Sequence, residues 1–423
     1  MRHKLGFFLV GGLLAIFAGT VSAHSDLDDY FLTTLRDAAY QYPQTRSAEK
    51  NMDAANSEKE SARWQRYPSP SVISQSPRNT STDQSLNQTI NAVAVSQPIW
   101  EGGSIDAGIA QADAQFESSR ANYEYVAQDR AIQTASTWYD WKRNVAREAV
   151  LQESLIAHQK LEEQIKRRVA EGVSAQADLT LAMARLSSTR SDLAQAQSAV
   201  RTSYAQLTQL AGPYLSKFTS DSLGIAANKD VQTPPPAAWR DAAMSRDPQL
   251  QKLKYDADTA AAQIDVQRSK AYPMVSMRVE HDFSGPTKGQ GVFLQVQAQP
   301  GAGLSYESNV KAAEARRESA EDSQHDAELD LARNLDSDFA TYASSRDQLE
   351  VAELLRSSTQ SVAESYARQF VAGHKSWLDV LNAVQEAVSA RLTILDAQAN
   401  MGESWWRLRL RALGLGSSAG SGL

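Results

Sequence analysis

RRVAEGVSAQADLTLAMA at 167–184 and RQFVAGHKSWLDVLNA at 368–383 decide the fold of this chain. Each sets one Gly inside a long Ala-rich stretch whose apolar residues recur at steps of three and four. A shift of 201 residues places Gly172 on Gly373, Asp178 on Asp379 and Ala182 on Ala383. A Gly between two runs of helical period marks a turn, because helix ends favour a residue that tolerates positive φ. Each stretch therefore reads as the tip of a helical hairpin, and the chain as a duplication.

The duplication extends outward from the tips. Arg36-Asp37-Ala38-Ala39 recurs as Arg240-Asp241-Ala242-Ala243, Pro43-Gln44 as Pro248-Gln249, Arg63 as Arg268, and Tyr67-Pro68 as Tyr272-Pro273. Residues 27–66 predict a helical stretch broken at Pro43. After each Tyr-Pro comes strand-like sequence of period two. In MVSMRVEHDF, Val275, Met277, Val279, His281 and Phe283 alternate with Ser276, Arg278, Glu280 and Asp282. In VFLQVQAQ, Val292, Leu294, Val296 and Ala298 alternate with Phe293, Gln295, Gln297 and Gln299. The first-half pair, SVISQS at 71–76 and TINAVAVS at 89–96, is weaker, and PRNTSTDQSLNQ joins it. Strands of this length suit an outer membrane or a half-buried soluble hairpin. Four cannot close a barrel alone, so their edges require partners.

VSQPIWEGG at 95–103 and VQAQPGAG at 296–303 then redirect the chain into helix. From Ile105 to Ala170 there is no proline, enough for a helix of roughly 100 Å. Trp138, Trp141, Val145, Leu151, Leu155, Ile165 and Val169 mark its apolar stripe. Leu179, Met183, Leu186 and Leu193 mark the return to Gly212-Pro213. In the second half Leu331, Leu335, Phe339, Tyr342 and Leu349 lead out; Val380, Val384 and Leu392 lead back. Narrow stripes padded with Ala and Ser bury little alone and imply close side-by-side packing.

The predicted organisation is a signal peptide over 1–23, a first repeat over 24–212, a connector over 213–236, a second repeat over 237–414 and a disordered tail over 415–423. Arg2, His3 and Lys4 precede an apolar run and the small-residue site Val21-Ser22-Ala23. That run, Leu5 to Ala18, is shorter than the roughly 20 residues a helical span needs. Pro234-Pro235-Pro236 predicts an irregular connector packed outside the helices.

Of 423 residues none is Cys, which excludes disulfides, thiolate catalysis and lipoprotein processing. A net charge of −7 gives no reason to expect a nucleic-acid partner. The six His form no ligand pattern, and there is neither a phosphate loop nor a Ser/His/Asp arrangement, so neither an enzyme nor a cofactor is expected.

VSQPIWEGG with AQADAQ at 110–115, the two Gly tips and the two Tyr-Pro strand entries together resemble the TolC family of outer-membrane efflux and type I secretion channels. The resemblance covers the mature chain. It implies a mainly α fold with a small antiparallel β part. Long helical hairpins from three subunits form a periplasmic α-barrel, and four strands per subunit complete a 12-stranded outer-membrane β-barrel. It implies a homotrimer in outer-membrane lipid. A periplasmic adaptor would dock at Gly172, Val173, Ser174, Gly373 and His374, and an inner-membrane ABC or RND transporter would drive export.

The resemblance also places a gate at the tips. The acid six residues past the second Gly lines its constriction, here Asp379. A second family acid is Asn382 in this chain. Family contacts that hold the tip closed come from an Arg and a Tyr, here Lys375 and Phe370. Lys375 is expected to pair with Asp178, while Phe370 cannot donate a hydrogen bond, leaving packing against Trp377. A helix N-terminal carboxylate is the plainer role for Asp379 and Asp178. Basic IKRRV at 165–169 is either an adaptor face or a solvated one. QPGAGLSYES at 299–308, where a second Trp-Gly-Gly is absent, resembles channels that export proteins. The alternative to an export duct is a trimeric periplasmic coiled-coil scaffold.

Overall fold

A computed structural model describes residues 15–76, 89–219, 235–284, 288–298 and 305–416. The joining segment 77–88, residues 285–287, most of the connector, the QPGAG segment and the tail from 417 lie outside them, as does the start of the signal peptide. Nine helices and four strands follow one another among the described residues. They are α1 (Ala15–Gln41), α2 (Pro43–Trp64), β1 (Ser69–Gln75), β2 (Ile90–Trp100), α3 (Ser104–Ala170), α4 (Gln176–Ala211), α5 (Leu215–Phe218), α6 (Pro236–Arg246), α7 (Pro248–Ser269), β3 (Met274–Ser284), β4 (Gly289–Gln297), α8 (Ser305–Val371) and α9 (Trp377–Leu413). The second half thus repeats the element order of the first. Pro43 and Pro248 each open a helix, where the missing N–H costs nothing.

The chain forms two compact units, each drawing on both sequence repeats. One comprises Met1–Thr45, Ala127–Asp247 and Leu331–Leu423; the other comprises Arg46–Val126 and Pro248–Asp330.

In the first unit the core gathers around aromatic residues. Phe31, Leu35, Trp138, Tyr139, Leu207, Phe218, Trp406 and Leu410 are buried together. The Phe31 ring centroid lies 4.8 Å from that of Trp138 and 4.9 Å from that of Trp406. Ala127, Ala131 and Ala135, four residues apart, let neighbouring helices approach. Phe218, at the start of the predicted connector, is fully buried, and its carbonyl accepts a 2.9 Å hydrogen bond from Trp138 Nε1. That stretch is therefore docked into the core rather than packed outside. Its far end is regular too, since Pro235 caps α6 and Pro236 opens it. The Ala stripe accounts for this difference: it leaves room that a large side chain from the connector fills.

The stripes inferred from periodicity are mostly buried, including Leu151, Ile165, Leu186, Leu335 and Leu349. Val145 and Met183 are not; they are 38% and 54% exposed. Val351, Leu354, Leu355 and Val362 form a further exposed apolar row on α8, at helical spacing.

The second unit carries the sheet, antiparallel and ordered β1-β2-β3-β4. Its central pairing, β2 with β3, joins the two sequence halves. Strand β2 runs on through Pro98 to Trp100, where the sequence predicted a break. Pairing with β1 ends at Ser96, and the register with β3 shifts between Pro98 and Trp100. A residue without an N–H is tolerated at such an edge or bulge. The duplication reappears in ion pairs. Arg63 of α2 reaches Asp113 of α3 at 3.4 Å, and Arg268 of α7 reaches Glu314 of α8 at 2.9 Å.

Candidate functional site: hairpin tips and an amphipathic sheet

Both tips close by the same backbone device. Helix α3 ends with Gly172 N–H donating to Val169 O at 3.0 Å and Val173 N–H to Arg168 O at 2.8 Å. Helix α8 ends with Gly373 N–H donating to Phe370 O at 3.0 Å and His374 N–H to Gln369 O at 2.8 Å. This is the paired bonding of a Schellman motif, with glycine at φ +75° and +79°. Ser174 accepts a 3.4 Å hydrogen bond from Arg168 Nε, while Val173 is 60% exposed.

The return helices begin differently. Ser376 caps α9 in a reciprocal capping box: Asp379 N–H donates to Ser376 Oγ at 3.2 Å, and Ser376 N–H donates to Asp379 Oδ2 at 3.2 Å. The Ser376 hydroxyl also donates to Asp379 Oδ2 at 2.8 Å. These bonds, the hydroxyl's first, hold the Asp379 carboxyl below the usual aspartate range, with Lys375 adding to the effect. Ala175 stands where Ser376 does and offers α4 no side-chain cap. Asp178 sits in the first turn of α4, its N–H bonded to Ala175 O. The helix-terminal role weighed for both acids is thus present at Asp379 in full.

Beneath the tips, Ile165, Ala182, Phe370, Trp377, Val380 and Leu381 form one buried cluster across α3, α4, α8 and α9. The Phe370 and Trp377 rings are 5.6 Å apart, the packing anticipated for a Phe at this position. The expected Lys375–Asp178 pair is not formed within the chain. Lys375 Nζ lies instead 4.2 Å from the centroid of the Tyr366 ring. Arg168 stacks on Phe370, its guanidinium carbon 4.7 Å from the ring centroid. These two cation–π contacts were not read from the sequence, since ring stacking carries no spacing rule; Arg168 entered only as part of a basic run. Asn382 is exposed on α9. A cleft of about 580 Å³ lies between α3, α8 and α9, lined by Ala157, Leu161, Ala363, Ala367 and Val384. On the same stretch of α3 His158 is buried, and its Nδ1 has no hydrogen-bond partner. Burial, and then Arg185, push its pKa down.

In the other unit, strand register sorts the sheet into two faces. Val72, Val93, Val95, Val279, Val292 and Leu294 fall on one face, in cross-strand pairs such as Val279 with Val292. All six are 38% exposed or more, an apolar surface without cover. The other face carries Ser71, Ser96, Ser276, Arg278, Glu280 and Gln295. Trp64, Tyr67, Trp100 and Tyr272, all exposed, cluster where helices meet strands, with ring centroids 5.0 Å and 6.1 Å apart in two pairs. Exposed apolar strands bordered by aromatics match a membrane-facing barrel wall and its interface girdle. Among the described residues no helix is long and apolar enough to cross a membrane.

The outer membrane efflux protein family matches residues 34–213 and 239–414. The chain belongs to that family, and is thus an outer-membrane channel protein of TolC-like fold with a periplasmic helical extension, not an enzyme. Among curated sequences it is 25% identical to Protein CyaE of Bordetella pertussis over 320 residues, 73% of this chain and 67% of that protein. Among solved structures the outer-membrane channel OprN aligns with a TM-score of 0.80 at 16% identity, covering 92% of this chain and 91% of that one. VceC of Vibrio cholerae aligns at 0.76 and 15% identity, covering 90% and 96%. The Campylobacter jejuni CmeC channel aligns at 0.77 and 14%, covering 94% and 88%.

Proposed function

We propose that three copies of this chain form the outer-membrane duct of a tripartite export system. An inner-membrane ABC or RND transporter drives it through a periplasmic adaptor. The observation that carries this reading is the sheet. It has one exposed apolar face, one polar face, and two unpaired edges in β1 and β4. A barrel shared among copies satisfies those edges and sets the apolar face against lipid. The exposed row Val351, Leu354, Leu355 and Val362 supplies further surface for a neighbouring copy. The tips act as gate and docking point, with Asp379 at the constriction and Arg168–Phe370 and Lys375–Tyr366 as the closing contacts. The cargo is a protein of a type I system or a small molecule.

The test is extraction of the full chain from outer membranes followed by bilayer recording. A heat-labile trimer that conducts supports the duct; a soluble, non-conducting chain overturns it and favours the coiled-coil scaffold. In a deletion strain, loss of a secreted protein or gain of drug sensitivity then separates the two cargo classes.

A further inference from the structure

The polar face of the sheet contains one residue that does not belong to a solvated surface. Phe293 of β4 pairs with Arg278 of β3, so its side chain shares the face of Arg278, Glu280 and Gln295, not that of Val292 and Leu294. It is 53% exposed, and no other paired residue of that face is aromatic. Its ring does not stand free. It lies along its own strand over Gly291, where an added Cβ would fall 2.6 Å from ring atom Cε2 and 2.7 Å from Cζ. Only a glycine leaves room for that pose. Glu280 is the strand partner of Gly291, the residue the ring covers, and its carboxylate is engaged by Arg278 at 2.8 Å. With Asp282 two residues on, the described strand residues of this face include two acids and one base.

We infer that Phe293 is a contact for amphipathic organic cations on the lumenal wall of the β-barrel. The inference rests on the reading of the sheet as a barrel wall, which turns the polar face inward. A flat aromatic face beside net negative charge attracts cations that carry apolar bulk, through the ring quadrupole and through desolvation of that bulk. A ring held only to stabilise the strand over a glycine would not need acidic neighbours, and its loss would show in stability alone.

Two measurements test it on the full chain. First, because the chain has no cysteine, Phe293→Cys and Leu294→Cys each introduce a single thiol. In outer-membrane vesicles a membrane-impermeant charged maleimide should label Phe293→Cys much faster than Leu294→Cys; equal or reversed rates overturn the inference. Second, tetraphenylphosphonium added to the outer side of bilayer-inserted channels should block wild type and Phe293→Tyr alike. It should block Phe293→Leu and Phe293→Ser about threefold more weakly or worse. A conducting wild type whose block these two variants leave unchanged overturns this inference alone. A wild type that passes no current overturns the duct and this inference with it.

Discussion

The Arg168 guanidinium lies 4.7 Å from the centroid of the Phe370 ring, joining the tip of the first hairpin to the tip of the second. Phe370 has no hydroxyl to donate, and it meets Arg168 through its ring face. Arg168→Gln and Phe370→Leu should each raise resting single-channel conductance, and Phe370→Tyr should not. In a double-mutant cycle on tip stability the pair should couple by about 0.5–2 kcal/mol. Strict additivity would show that the contact holds nothing shut.

The cap seen at Asp379 and the charge ring proposed for it can be separated. Asp379→Asn should weaken cation preference and block by polyvalent cations, since it removes the proposed ring of charge. Ser376→Ala removes the cap and the hydroxyl bond to the carboxylate but leaves the Asp379 side chain in place. It should cost about 1 kcal/mol in thermal unfolding of the hairpin and leave selectivity unchanged. Unaltered selectivity in Asp379→Asn would reduce the residue to its capping role.

His158 predicts a pH dependence. Its pKa is lowered in the folded chain by burial and by Arg185. The unfolded chain, near the ordinary value of about 6.5, therefore binds more protons in the window below that value. Stability is full above the unfolded pKa and falls as pH drops through the folded one. Thermal unfolding followed by circular dichroism should show Tm falling between pH 7.5 and pH 5, with a shallower slope in His158→Gln. An unchanged slope would assign the effect to other groups.

Gly172 and Gly373 should respond alike. Both sit at positive φ, and nothing lies within 4 Å of an added Cβ at either position. The cost of Gly172→Ala or Gly373→Ala is thus conformational alone, about 1 kcal/mol each. Chemical denaturation of the two variants should give matching shifts. A much larger loss at one would reveal a contact made only in the assembled channel.

The legible part of the fold was whatever carries a period. The Gly tips, the alternation of Val275 to Phe283 and the stripe through Ile165 all come from local geometry, and all reappear in place. Lateral contacts were not legible. Complementary charge points Lys375 to Asp178, yet its ammonium lies over the ring face of Tyr366, near the end of α8. The burial of Phe218 is not legible in the sequence, since Pro213 to Phe218 is too short a run to show a period. Pro98 suggested the end of β2, but a bulge beyond the reach of β1 absorbs it. At the hairpin tips the backbone turns are readable, whereas the pairing of their side chains depends on directions that sequence spacing does not set.

The open edges of β1 and β4 have a genetic consequence. On the proposed trimer no subunit owns a barrel; each supplies a third of one wall. A copy that folds its helices but spoils an edge still enters assemblies and disables them. The fraction of sound channels in a mixed cell then falls as the cube of the sound fraction of chains. Lesions in these strands should behave as dominant negatives, whereas truncations that never reach the membrane should be recessive.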